Sequence, residues 1–163
     1  MGCGKKTGHA KNGCVCDVVR AILDIQENIQ DDFSCGSNCF AEPLGAIRPQ
    51  AKNKVNTRVF VLKDVDGTPF HAFFKGCEDA CVSIYFRVEE VFDNCCATLR
   101  VLKPLGDDDY PVDLTGDKKD KCCIDLSKVC LVEDFEATHD CVTVDLSCFC
   151  AIQCIEDVYL DLC

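Results

Sequence analysis

The stretch VSIYFRVEEVFDNCCATLRVLK, residues 82–103, carries the strongest fold signal in this chain. From Val82 to Glu89, every second side chain is Val, Ile or Phe. Side chains alternate between the two faces of a strand, so this period of two predicts a half-buried strand. Asn94 then turns the chain into a second apolar run at residues 95–103. Two strands that follow each other so closely are typical of antiparallel β structure.

Further strand signals lie on either side of this stretch. Residues 57–63 (TRVFVLK) and 69–74 (PFHAFF) flank Asp66-Gly67, and Asp-Gly between two apolar runs predicts a hairpin. Apolar side chains alternate again from Val142 to Leu146, and residues 148–155 continue as an apolar strand. The strands are mostly adjacent in sequence. We therefore expect an antiparallel sandwich or barrel-like sheet of roughly six to eight strands.

One amphipathic helix precedes the β-rich part. Apolar residues recur at intervals of three and four from Val15 to Ile29, which predicts a helix over about residues 15–31. Residues 1–13 show no periodicity, and we expect them to form a flexible, Cys-containing tail. Pro and Gly make residues 32–56 irregular. The predicted fold is mainly β, with residues 14–163 forming a single domain whose β-rich part spans residues 57–163.

The composition argues against two classes of partner. The formal net charge is −11, and proteins that bind nucleic acid need clustered Lys and Arg to contact phosphates, so we expect no nucleic acid partner. The chain has no run of about 18 apolar residues, so we expect no membrane span. Its first residues also lack the apolar stretch of a secretory signal.

Seventeen cysteines among 163 residues are the strongest constraint on function. A Cys content above roughly 8–10% is typical of disulfide scaffolds in short secreted chains, yet this chain shows no export signal. The odd count leaves at least one thiol without a partner inside the chain. Cysteines on both faces and at both ends of the predicted sheet cannot all pair within one molecule. We therefore expect some of them to bond to other subunits.

Position along the chain separates two groups of cysteines. Termini are seldom buried, and the tail and helix region lies outside the predicted sheet, so we predict intermolecular disulfides at Cys3, Cys14, Cys16, Cys35, Cys39 and Cys163. The other cysteines are expected to bond within the chain or to pack in the core as small hydrophobic residues: Cys77, Cys81, Cys95, Cys96, Cys122, Cys123, Cys130, Cys141, Cys148, Cys150 and Cys154. Adjacent cysteines on a strand, such as Cys95 and Cys96, should face opposite sides.

Metal binding and catalysis are the alternatives to cross-linking. Three C-x3-C pairs and three His residues are compatible with zinc, although no C-x-x-C occurs. A zinc-binding or other metal-binding cysteine-rich adaptor is therefore the second candidate function, but we assign no metal ligand and no cofactor. A Cys nucleophile needs a nearby His. Because the chain has so many thiols, His71 or His139 could lie close to a cysteine by coincidence, and such a contact would not identify a catalytic pair. We expect no enzyme and no catalytic residue.

Four segments resemble one protein family. They are CVCDVV (residues 14–19), IYFRVE (84–89), CATLRVL (96–102) and, the most specific, CVTVDLSCFCAIQC (141–154). Together they are similar to the cysteine-rich outer spore-coat proteins of bacilli, which comprise coat proteins Y and Z and their relatives in the exosporium basal layer. The resemblance extends over residues 14 to about 157, although the acidic Asp107–Asp109 and the lack of a His-rich tail depart from some relatives.

The resemblance implies a structural protein that self-assembles into a two-dimensional lattice. The lattice would consist of hexamers within a sheet, hardened by disulfides, and would form the crust or the exosporium basal layer at the spore surface. The partners implied are further copies of the chain and other spore-coat proteins. Synthesis in the mother-cell cytoplasm without a signal peptide is also implied. Oxidation after mother-cell lysis would then explain how a chain without an export signal becomes rich in disulfides.

Overall fold

A five-stranded antiparallel sheet and one helix dominate the part of the chain that the computed structural model describes, residues 13–28, 55–76, 80–116 and 123–162. The elements are α1 (Cys14–Glu27), β1 (Thr57–Lys63), β2 (Ala72–Phe73), β3 (Val82–Ser83), β4 (Phe86–Val91), β5 (Cys96–Leu105), α2 (Leu126–Val129), β6 (Asp134–Asp145) and β7 (Ala151–Val158). The strand order of the large sheet is β6-β5-β4-β1-β7, and β2 and β3 form a separate pair.

This architecture confirms the predicted mainly β, antiparallel fold with one N-terminal helix. The sheet is open, because β6 and β7 lie at its two edges and do not pair with each other among the described strands. The predicted tail at residues 1–13 and the irregular segment at residues 32–56 lie almost entirely outside the described residues. No helix in the described ranges is long and apolar enough to cross a membrane.

Helix α1 covers one face of the sheet. Its buried side chains, which recur every three or four residues, are Val15, Cys16, Val19, Ile22 and Gln26. The helix packs mainly against β4, and the Gln26 amide fixes its end by donating to the Val88 carbonyl at 2.9 Å and accepting from the Arg58 N–H at 3.2 Å. The sequence predicts a helix to about residue 31, and residues 29–31 lie outside the described part.

The sheet is buried on both faces at its centre. On the helix-side face, Phe60, Phe86 and Leu99 belong to the core that includes α1. On the opposite face, Val59 and Leu102 belong to a second core, to which residues from beyond β5 contribute. Strand β1 therefore has four consecutive buried residues, from Val59 to Leu62.

The predicted half-buried strand at Val82–Glu89 differs from the structure in two respects. It is divided into β3 and β4, and its supposedly outward Ser83 and Tyr85 are only 0% and 3% exposed. The second core explains the burial, because the Phe135 ring packs against Tyr85 with the ring centroids 4.8 Å apart. An alternating pattern identifies the strand but cannot reveal that a distant segment covers its polar side.

The predicted hairpin after β1 is only partly present. The chain turns at residues 64–68, where Gly67 adopts the left-handed φ of +82° that glycine accepts without a steric penalty. Pro69 then bridges Lys63, and the Phe70 N–H donates to the Leu62 carbonyl at 2.9 Å. Beyond this point the chain leaves β1 and forms β2, which pairs with β3.

The last two strands are displaced from their predicted bounds. Strand β6 ends at Asp145, whose side chain accepts a hydrogen bond from the Ser147 N–H and caps the 3₁₀ helix Leu146–Cys148. Strand β7 begins at Ala151 and runs antiparallel to β1. Residues 148–150, predicted to belong to this strand, lie in the connection between β6 and β7 instead.

Candidate cross-linking site

One disulfide joins α1 to the turn between β4 and β5. It links Cys16 to Cys95, whose Cα atoms are 5.7 Å apart, within the normal range for a disulfide. The two residues are 0% and 5% exposed. The sequence places Cys16 among the intermolecular candidates, and this prediction is wrong for the structure described here. Cys16 lies on the buried stripe of α1, so its sulfur faces the sheet and not the solvent.

The turn that carries Cys95 is held in place by several bonds. Cys95 has a φ of +64°, a left-handed conformation that L residues rarely adopt. Arg20 of α1 donates from Nη2 to the carbonyls of Phe92 at 2.8 Å and Asp93 at 3.2 Å. The Leu146 N–H donates to the Cys95 carbonyl at 3.0 Å. We call the Cys16–Cys95 disulfide together with the Arg20 hydrogen bonds the clamp.

Other described thiols lie at the surface without a disulfide. Cys96 is half-buried on β5, while its neighbour Cys95 is buried, so the two face opposite sides as expected. The exposed thiols are Cys14, Cys81, Cys130, Cys141, Cys148 and Cys154. Cys123 is exposed as well, and Cys150 is bonded in a disulfide.

Several of these cysteines are predicted to bond within the chain or to pack in the core, and their exposure excludes the second of these two possibilities. Core packing is excluded for Cys81, Cys123, Cys130, Cys141, Cys148 and Cys154, all of which are exposed. The reason is their location, since they lie in turns, at the end of α2 or on the edge strands, where neighbouring elements do not cover them. The remaining predicted cross-linking or internal cysteines lie outside the described residues: Cys3, Cys35, Cys39, Cys77, Cys122 and Cys163.

Cys141 and Cys154 occupy the two opposite edges of the sheet. Cys141 is on β6, opposite Arg100 of β5, whereas Cys154 is on β7, opposite Phe60 of β1. Four strand spacings separate β6 from β7, which corresponds to roughly 19 Å. The two residues also face opposite sides, because Phe60 belongs to the helix-side core and Val142, the neighbour of Cys141, packs against that same core. These two thiols cannot bond within one molecule, because a disulfide needs Cα atoms closer than about 7 Å.

The surroundings of Cys141 reduce its reactivity. Partial burial is the main cause that raises the pKa of its thiol, and the carboxylates of Glu89 and Asp140 act in the same direction. The guanidinium of Arg100, which is paired with Glu89, opposes this effect only in part. Since the thiolate is the nucleophile in disulfide formation, Cys141 should oxidise more slowly than a thiol with the ordinary pKa.

Three surface thiols lie around the clamp. Cys14 begins α1, two residues before the bonded Cys16. Cys96 follows the bonded Cys95 directly and lies opposite Asp145 of β6. Cys148 ends the 3₁₀ helix that begins just after Asp145. The fold therefore places Cys14, Cys96 and Cys148 near the clamp. Sequence spacing alone does not indicate this, because the three residues are far apart in the chain.

The described part of the chain contains no group of three or more His, Cys, Asp or Glu side chains arranged to hold a metal ion. His71, which precedes β2, and His139, on β6, are both exposed. The chemistry that the described residues can perform most directly is therefore thiol oxidation at the surface.

Comparison with known proteins identifies the family of this chain. No solved structure matches the chain. The family model of spore coat protein Z matches residues 1–157. Spore coat protein Z of Bacillus subtilis (strain 168) is 32% identical over 148 residues, which cover 88% of this chain and 89% of that protein. These similarities support a structural role in the spore coat. The chain belongs to the spore coat protein Z family.

Proposed function

We propose that this protein is a structural subunit that assembles with further copies of itself into a disulfide-cross-linked, two-dimensional layer at the spore surface. The observation that carries the proposal is the placement of exposed thiols at opposite edges of one sheet, at Cys141 and Cys154. These thiols cannot reach each other, and both are exposed, so we propose that each bonds to another molecule. A subunit with two or more separate bonding positions extends an assembly in more than one direction.

The fold suits such a subunit because the sheet is a rigid base for its surface thiols. The clamp fixes α1 on the sheet, and buried side chains cover the centre of the sheet on both faces. Non-covalent docking must first bring two sulfurs within bonding distance. We therefore propose that the layer assembles before it is oxidised and that disulfides then lock it. Detachment of one copy requires several bonds to break. The resistance of the layer to heat and denaturant is therefore a kinetic property.

The finer features of the proposal come from the family. They are a six-membered ring as the repeating unit, a place in the crust or the exosporium basal layer, contacts with other spore-coat proteins and synthesis in the mother cell without a signal peptide. The strongly acidic surface, with a formal net charge of −11, favours coat partners that carry basic surfaces. No catalytic step is part of the proposed role.

Electrophoresis of purified protein tests the proposal. Without reductant we expect a ladder or material too large to enter the gel, which collapses to monomer when a thiol reagent is added. Electron microscopy of the large material should show flat sheets. A monomer that stays monomeric under oxidising conditions, with stoichiometric zinc bound, would contradict the proposal and support the metal-binding adaptor.

A matched pair of double variants identifies the thiols responsible. Cys141→Ser combined with Cys154→Ser removes two exposed edge thiols and should reduce the amount of large material. Cys16→Ala combined with Cys95→Ala also removes two cysteines, but these are bonded internally. This control should lose stability while its cross-linking continues. Equal loss of large material in both variants would show that the edges have no special role.

A further inference from the structure

Strand β7 is an edge that no other described element covers. It pairs with β1 on one side, and no described strand lies on its other side. All its residues are exposed except the half-buried Ile152 and Val158, so neither of its faces lies beneath another layer. An exposed edge strand offers a row of backbone N–H and C=O groups to which another chain can add a strand.

The first part of β7 lacks two of the usual protections of an edge. Natural edge strands are blocked by charged side chains, proline or bulges, and residues 151–155, AIQCI, contain no charge and no proline and have a bulge only at their end. A bulge at Ile155, which has no Cα partner on β1 and is 42% exposed, separates this segment from Glu156 and Asp157. We call residues 151–155 the open segment of β7.

The other edge of the sheet is protected by charge. Strand β6 carries acidic side chains at Asp134, Glu136, Asp140 and Asp145. An approaching strand with acidic residues would meet like charges at these positions, and the longest uncharged stretch of β6 is residues 141–144. The two edges therefore differ in how charge is distributed, and the open segment of β7, which is the longer uncharged stretch, is the better site for strand addition by a chain as acidic as this one.

We infer that the open segment of β7 pairs with the same segment of a second copy, antiparallel and centred on Cys154, and that a Cys154–Cys154 disulfide closes this contact. The inference rests on the proposed function and names one contact of the layer. Charge selects this arrangement, because it places Glu156 opposite Ile152 and Asp157 opposite Ala151 of the other copy. A parallel pairing in register would place each acidic side chain opposite its own counterpart.

The geometry of antiparallel pairing suits the bond. Directly opposed residues have Cα atoms roughly 4.5–5.5 Å apart, and disulfides form at Cα separations of about 4.4–6.8 Å. Cys154 lies on the helix-side face, opposite Phe60. A two-fold axis perpendicular to the sheet keeps both helix-side faces on the same side, so the two sulfurs meet on one face. The result is a continuous sheet that spans two copies.

The bond forms by thiol–disulfide exchange with a small disulfide such as oxidised glutathione. The thiolate of one Cys154 attacks a sulfur of glutathione disulfide and releases one glutathione thiolate. The thiolate of the second Cys154 then attacks the mixed disulfide and releases the other. The small disulfide takes up the two electrons, and the two protons of the protein thiols end on the two glutathione molecules.

Isotope mixing tests the contact with the full chain. Equal amounts of unlabelled and nitrogen-15-labelled reduced protein are mixed, oxidised briefly with glutathione disulfide and quenched with N-ethylmaleimide. Peptic fragments are then sequenced by tandem mass spectrometry. We expect a Cys154–Cys154 peptide in which one light and one heavy chain are joined. A dominant Cys154–Cys141 peptide would overturn the inference, because it would show that β7 pairs with β6 of the other copy.

Charge substitutions test the pairing separately from the thiol. Gln153 and Ile155 of opposite copies face each other in the proposed register, so Gln153→Glu with Ile155→Glu creates two like-charge contacts and should lower the yield of the Cys154–Cys154 peptide about fivefold. Mixing this variant with Gln153→Lys, Ile155→Lys protein should restore the yield. The control adds the same charge to β6 through His139→Glu and Thr143→Glu and should leave the yield unchanged.

The outcomes distinguish this contact from the layer as a whole. If large cross-linked material forms through other cysteines without a Cys154–Cys154 peptide, the inference about β7 is overturned and the proposed function stands. If no cross-linked material forms under any oxidising condition, both are overturned. An unchanged yield in the glutamate variant would show that the link arises from random collision and would also overturn the inference.

Discussion

The cysteines of the clamp and the cysteine of the open segment of β7 differ in burial and in bonding. At the clamp, Cys16 and Cys95 come from elements 79 residues apart in sequence, yet they are buried and bonded within one chain. At β7, Cys154 lies on an uncovered edge with no cysteine opposite it on β1. The difference shows that the position of a thiol in the sheet, and not its spacing from other cysteines, decides whether it stabilises the subunit or is available to a second copy.

The first test compares a residue inside the sheet with a residue on its edge. Phe60 of β1 is fully buried and lies one strand inside the edge, whereas Ile155 is on the edge itself. Phe60→Ala should lower the free energy of unfolding by about 3–5 kcal/mol through lost burial and the cavity it leaves. Ile155→Ala should lower it by less than about 1 kcal/mol. Urea unfolding followed by circular dichroism measures both, and similar losses would show that β7 is not an open edge.

The second test removes the clamp disulfide. Cys16→Ala with Cys95→Ala should lower the free energy of unfolding by about 2–4 kcal/mol, because the bond closes a long loop in the unfolded chain. Cys130→Ser removes an exposed thiol and serves as the control, with an expected change within about 0.5 kcal/mol. If the double variant were as stable as the control, the buried pair would not be bonded in the folded protein.

The third test uses alkaline pH to probe the burial of Tyr85 in the second core, on the face of the sheet opposite the helix. Burial raises the pKa of Tyr85 to about 12, so the folded chain holds its proton more tightly than the unfolded chain does. This contribution is fully present below about pH 10, the range in which tyrosine ionises in an unfolded chain, and it is lost as the pH rises through about 12.

Tyr85→Phe provides the measurement. Between about pH 9 and pH 12 the wild-type chain should lose roughly 2 kcal/mol more stability than the variant, since each pKa unit corresponds to about 1.4 kcal/mol. The exposed Tyr159 beside β7 supplies the control, and Tyr159→Phe should behave like the wild type. Identical pH profiles for the Tyr85 variant and the wild type would contradict the burial of this ring.

The smallest effect concerns the hydrogen bonds of the clamp. Arg20→Gln removes the bonds to the carbonyls of Phe92 and Asp93 and should lower the free energy of unfolding by about 1 kcal/mol. Lys103→Gln breaks a surface ion pair with Glu136 and should cost less than about 0.5 kcal/mol. If both variants lost the same stability, Arg20 would contribute no more than an ordinary surface charge.

Local patterns predict several elements correctly. The recurrence of apolar residues from Val15 identifies α1, and the run at residues 57–63 identifies β1 with its observed bounds. The Asp66-Gly67 pair marks a real turn. The same reasoning fails at Tyr85, because its burial depends on a segment that returns from beyond β5. It also fails at Cys16, whose burial depends on the sheet beneath α1.

The residue pattern was sufficient to establish a mainly β chain with one amphipathic helix and a surplus of thiols, because periodicity and composition depend only on neighbouring residues. The family was indicated by the resemblance of four segments to known spore-coat proteins. The assignment of each thiol required the folded molecule. Strand order brought Cys16 to Cys95, left Cys154 on one edge of the sheet and placed Cys141 on the other edge. Pairings between distant segments decide these positions, and the sequence around each cysteine carries no record of them.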